Sequence, residues 1–241
     1  VLPGGASPTV NLVAPTYAFD SNFRNFGVAK GRVFFQGDTD APVPDPVLPY
    51  RFVAFSGGVT AGSGFVRSPA GDSHWLVRTN GSLELNDGFP SQTILDSVYR
   101  NGVYTLTFNT FSNGVVSVPL TLTGNNYPNA PHLTNFSDLQ QLDLTQNSRP
   151  IYWDPFVGGT TNDFIRLTVT DFADGKDLIR TPDAGQSGAL DGTATEGFIF
   201  PGILIPGHTY RGRILFAKGV STNTTIFPAP AAAFVNVKPG N

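Results

Sequence analysis

The chain contains no cysteine and no methionine in 241 residues, and glutamate occurs only at Glu84 and Glu196. Without cysteine there can be no disulfides, thiolate metal ligands or thiol nucleophiles. Charge is scarce too: 14% of residues are charged against 40% hydrophobic, and the formal net charge is −3. The 15 basic residues are scattered rather than gathered into a stripe, so nucleic acid is not an expected partner. No apolar run approaches the roughly 18 residues that cross a bilayer as a helix, and no membrane span is expected. The chain begins at Val1 rather than methionine. That fits a mature chain whose export signal has been removed, with an extracellular or cell-surface location.

Glycine (27) and proline (20) are abundant and follow no repeat. They punctuate short alternating runs, the pattern of many strands joined by tight turns. The expected fold is all-β: two tandem antiparallel β-sandwich domains, with at most one short helix in the first. The reading divides the chain into an extended N-terminal segment (1–16), a first sandwich (17–127) and a second (128–241). Strands are expected at 33–35 and 50–55. One hairpin is expected around Asn80-Gly81, a pair suited to a primed turn, and another around Asn113-Gly114. In the second hairpin Tyr104, Leu106 and Phe108 share a face with Val116, Val118, Leu120 and Leu122 across the turn, and Pro119 points to an edge strand. Residues 91–100 read as a helix with Ile94, Leu95 and Val98 on one face. Residues 125–131 (Asn-Asn-Tyr-Pro-Asn-Ala-Pro) read as a linker, and 171–195 as a polar loop.

The sharpest signature is Ile205-Pro206-Gly207-His208-Thr209-Tyr210, running directly into the alternating Arg211–Phe216. A Pro-Gly turn delivers a tyrosine onto a strand, where its ring can enter the core and its hydroxyl can tie down nearby backbone. With Pro131 and the Trp153-Asp154-Pro155 triplet, this order resembles a fibronectin type III module over residues 128–241, departing from it in the long 171–195 loop. The whole two-part layout resembles exported two-module bacterial surface proteins. The resemblance implies an Ig-like sandwich with Trp153 in its core and an extracellular setting, and says little about activity.

No catalytic constellation emerges. The three histidines, His74, His132 and His208, show no metal-ligand spacing, and the Gly-x-Ser-x-Gly elbow is absent. Most of the 16 aspartates sit beside Gly, Pro or Asn, where a carboxylate caps turns. Asp171, Asp174 and Asp177 surround a glycine and would suit calcium by ligand type, but the spacing is not that of an EF-hand and Lys176 lies among them. No catalytic, metal-binding or cofactor-binding residue is therefore assigned, and no cofactor is expected. The sequons at Asn80, Asn135 and Asn223 read as chance occurrences in an Asn/Thr-rich chain.

Two surfaces and one segment remain as candidates. Arg166, Arg211 and Arg213 should project from the solvent face of neighbouring strands as a ladder able to grip carboxylates or an acidic glycan. Trp75, on a hairpin strand, is the sugar-stacking candidate, although packing into the core is the plainer reading. The apolar run Thr9, Val10, Asn11, Leu12, Val13 and Ala14 is the candidate donor strand for exchange with a neighbouring subunit; equally, it can serve as the first strand of its own fold. The leading expectation is a non-enzymatic extracellular structural protein whose partners are copies of itself in an appendage or filament. The alternative is a glycan- or protein-binding adhesion module.

Overall fold

The computed structural model describes residues 12–13, 25–57, 62–79, 82–110, 114–125, 127–140, 148–184 and 186–220. Among these the fold is all-β, with several antiparallel sheets, one short α-helix and one 3-10 turn. The first half contains β1 (Leu12–Val13), β2 (Asn25–Arg32), β3 (Phe34–Phe35), β4 (Val43–Pro44), β5 (Tyr50–Gly57), β6 (Ser63–Arg67), β7 (Ser73–Trp75), β8 (Val77–Thr79), β9 (Ser82–Phe89), α1 (Gln92–Val98), β10 (Gly102–Thr110) and β11 (Gly114–Leu122). The second half adds β12 (Arg149–Tyr152), β13 (Phe164–Asp171), β14 (Asp177–Arg180), β15 (Leu190–Asp191), β16 (Glu196–Ile199) and β17 (Tyr210–Ala217).

In the first half a five-stranded sheet, β1-β2-β5-β9-β8, faces a four-stranded one, β11-β10-β6-β7. Their inward residues form one core: Phe26 and Val28 from β2, Phe52 from β5, and Tyr104, Leu106 and Phe108 from β10, opposite Val118 and Leu120 of β11. Burying each such side chain contributes about 2 kcal/mol, which is how a cysteine-free sandwich is held together. Proline at 119 lies on β11, the outermost described strand of its sheet, where a missing N–H costs no ladder bond.

Three sequence expectations change here. β2 was not foreseen, because its inward alternation of Phe26 and Val28 ends in a lysine, Lys30. The first arm of the hairpin expected around Asn80-Gly81 breaks at Leu76, which is buried and donates its N–H to Gly64 O at 2.9 Å. Its two pieces, β7 and β8, belong to opposite sheets, so Leu76 is the corner where the chain crosses the core. In α1 only Leu95 is buried, and Tyr99 follows it one turn on, while Ile94 and Val98 remain exposed. The apolar stripe is narrower than the sequence pattern: of its three positions Leu95 alone faces the core, and the next residue, Asp96, contacts Lys30.

The second half pairs β12 with β16 and sets β13 between β14 and β17. Trp153 (2% exposed) lies between these layers with Ile165, Leu167, Val169 and Ile214, and its Nε1 donates to Ala194 O at 2.9 Å. The Tyr210 hydroxyl accepts the Ile205 N–H and donates to the Ile205 carbonyl at 3.0 Å. The Pro-Gly turn makes that return possible, with Gly207 at φ +83°. The segment read as a polar loop supplies β14, since Leu178 and Ile179 are half-buried against the second core.

The two halves meet in a third apolar cluster. Ala29 and Val53, on the outward face of the first large sheet, lie with Phe164, Leu215 and Ala217 on the outward face of β13 and β17. A polar contact also links the halves: the Gln36 side chain accepts the Leu133 N–H at 2.8 Å and donates to the Leu133 carbonyl at 3.0 Å, much as a strand partner would. The stretch read as a linker is packed: Ala130 lies against Val33 and Phe34, and Asn129 accepts from the Val157 N–H at 2.8 Å.

Candidate functional site

Trp75 is 67% exposed, so the core reading fails for it. The crossing at Leu76 explains why: burying Leu76 turns Trp75, its neighbour, outward. Across the ladder Trp75 faces Phe65, whose ring lies edge-on at 5.5 Å between centroids. The same row continues through Thr107 to Ser117, whose hydroxyls bond to each other at 2.8 Å. The outer face of β7-β6-β10-β11 thus presents an exposed indole and, past Phe65, the hydroxyls of Thr107 and Ser117. An aromatic face takes the C–H side of a sugar ring while hydroxyls exchange hydrogen bonds with its oxygens.

The arginines do form a ladder on adjoining strands. Arg213 is opposite Thr168 and Arg211 opposite Thr170, and Arg166 shares their face. The face is not the open solvent surface that was expected: its far end is the apolar joint with the first half, and the Arg166 side chain is only 18% exposed. Arg166 is in direct contact with Asp183, which Arg180 also approaches at 3.5 Å. Burial pulls the pKa of Arg166 down against the attraction of Asp183, and burial with the neighbouring Arg211 charge lowers that of Arg213. The Nε–H groups of Arg166, Arg211 and Arg213 are buried without an acceptor among the described residues.

Of the proposed donor segment, Leu12 and Val13 are described. They lie antiparallel on β2, opposite Gly27 and Phe26, as an outermost strand of their own chain. Thr9, Val10, Asn11 and Ala14 lie outside the described residues, as do Asn80 and Asn223.

The polar turn residues have structural partners. Asp171 accepts the Ala173 N–H at 2.9 Å and pairs with His208 Nδ1 at 2.6 Å; these bonds hold its carboxyl below the usual range. Asp174 caps the turn at Lys176, and Asp177 accepts from Thr170 at 2.6 Å. The Asn135 side chain bonds Pro150 O and the Tyr152 N–H, both at 3.0 Å, and so is engaged in the fold.

A further polar cluster was not singled out from the sequence. Lys30 points into the first core (3% exposed) across from Phe52. Its Nζ contacts Asp96 of α1 and donates to Asn101 Oδ1 at 3.0 Å. Asp96 also accepts from Asn125 at 2.9 Å, and Asn101 donates to Asn125 Oδ1 at 3.2 Å. Burial lowers the Lys30 pKa, opposed by Asp96. Burial raises those of Tyr104 and Tyr127 nearby, with the Asp96 charge adding to it. The signal in the sequence was a lysine at an inward position of an alternating strand. One ring layer away, the buried Tyr99 stacks on Phe52 at 3.7 Å and donates to Asp87, with His74 Nδ1 at 3.4 Å from its hydroxyl.

No protein-family model matches this chain, and no curated protein matches it in sequence.

Proposed function

We propose that this chain is a non-enzymatic extracellular structural protein, a subunit of a surface appendage or filament built from two coupled sandwiches. The observation that carries the reading is the joint between the halves. An apolar cluster and a side chain bonding both backbone groups of one residue couple the sandwiches, as a load-bearing element requires. The second half supports it by its plan. The bridge of Leu133 to Trp153, the β12–β16 pair, the β14-β13-β17 sheet and the Tyr210 tie support reading it as a fibronectin-III-like sandwich. The N-terminal segment supplies the means of assembly: the pairing that Leu12 and Val13 make with β2 can equally be made with β2 of a neighbouring copy.

Negative-stain microscopy of the native material tests this. Filaments from the full chain, lost when residues 1–16 are deleted while the sandwiches stay folded, are the expected result. Monodisperse small particles at high concentration would overturn it.

The exposure of Trp75 favours a second reading, an adhesion module that binds glycan on the face shared by Trp75, Phe65, Thr107 and Ser117. Retention on a glycan array that drops at least tenfold in Trp75→Ala is expected. Signals unchanged by that substitution would dismiss this reading and leave the first untouched.

A further inference from the structure

Lys30 and Asn101 belong to opposite layers of the first sandwich. Lys30 is on β2 of the five-stranded sheet, and Asn101 immediately precedes β10 of the four-stranded one. Their side chains meet at 3.0 Å, and the Asp96 carboxylate touches the same Nζ. A buried lysine pressed between a carboxylate and a side-chain amide, across the ladder from Phe52, is an unusual way to fill a core. Removing a charged ammonium from water is costly even when it is paired. In many Ig-like sandwiches the two sheets are tied by a disulfide, which this chain cannot make.

We propose that Lys30 and Asn101 become joined by an intramolecular amide bond, formed in the folded chain with Asp96 as proton carrier. Asp96 takes a proton from Lys30, leaving a neutral amine whose lone pair attacks Cγ of Asn101. A C–N bond forms, and the proton held by Asp96 passes to Nδ2. The Cγ–Nδ2 bond then breaks and ammonia leaves. Lysinium gives up two protons in all: one completes ammonia and the second makes it ammonium. Asp96 ends as the carboxylate it began, so atoms and charge balance without a co-reactant. The environment favours each stage. Burial lowers the Lys30 pKa toward the amine. Asn125 holds both Asp96 and Asn101 in place through its two amide atoms. Asn101 is exposed, giving ammonia a way out.

The intact mass of the purified full chain tests this directly. The expected value is below the sequence mass by one ammonia, with a branched proteolytic peptide carrying Lys30 and Asn101 together. Lys30→Arg, Asn101→Ala and Asp96→Asn should each restore the full sequence mass. Three results would overturn the proposal. One is the full mass in the unsubstituted chain. Another is a loss of water, placing the bond on Asp96. The third is a loss of ammonia that persists in Lys30→Arg, which would mark cyclisation at an Asn-Gly pair such as Asn101-Gly102. Asn101→Ala is the variant to rely on if Lys30→Arg fails to fold, since it leaves the buried ion pair intact.

Discussion

The Tyr210 hydroxyl is the one side-chain group that bonds both backbone atoms of Ile205, and it pins the turn that starts β17. Tyr210→Phe keeps the ring and removes both bonds. Because Ile205 is half exposed and water can partly replace the hydroxyl, the expected loss is about 1–2 kcal/mol. A lower urea midpoint with an unchanged slope would show it. Tyr210 and Trp153 were legible in the sequence because their signals are local: a Pro-Gly turn fixes the strand start, and a Trp-Asp-Pro triplet marks a strand end. Trp75 was not legible. The side of a strand on which a tryptophan stands depends on the sheet to which that strand belongs, and the neighbouring Leu76 decides that through its contacts with distant residues. Lys30 is hidden in the sequence for a related reason. A charged residue at an inward position reads as the end of a strand unless its partners, 66 and 71 residues away, are known.

Among the elements, hairpins with complete alternation were readable and edges were not. β10 and β11 follow their sequence pattern position by position, because one face packs against the core and a slip of one residue would expose it. β14 carries only two half-buried residues and is flanked by charge, so nothing in its own four residues outweighs a polar-loop reading. β16 shows what close layer packing demands. Gly197 lies under Trp153, and a Cβ there would come within 2.7 Å of Leu167 Cδ2 and 3.3 Å of the indole. Gly197→Ala is therefore expected to cost about 1–3 kcal/mol by overpacking. The check is a fall in thermal midpoint together with a shifted Trp153 fluorescence maximum.

At the scale of the whole molecule, His132 of the second half reaches the first through the Thr39 carbonyl. Its Nδ1 donates to Asp154 at 2.9 Å and its Nε2 to the Thr39 carbonyl at 3.1 Å, so both ring nitrogens carry protons. Burial opposes that charge, but the bonds to Asp154 and Thr39 outweigh it and raise the pKa. With the folded value above the unfolded one, this contribution is complete below the ordinary imidazole pKa of about 6.5 and fades as pH climbs through the raised value. The joint should therefore loosen as pH rises above the ordinary imidazole range. Hydrogen exchange at Thr39 and Leu133 should quicken there, and His132→Gln should abolish that pH dependence. A joint of this kind was hidden from the sequence, where the residues between the halves resemble any proline-rich connector. The apolar contacts that make it, Ala29 and Val53 with Phe164 and Leu215, are separated by more than a hundred positions.

That separation imposes an order of events on biosynthesis. A chain that emerges N-terminus first can close its first sandwich long before β17 has been made. Until Leu215 and Ala217 arrive, Ala29 and Val53 stand uncovered on a finished sheet, a sticky stage whose duration is set by the pace of translation or export. Nascent chains halted before β17 should consequently aggregate, whereas released full-length chains should not.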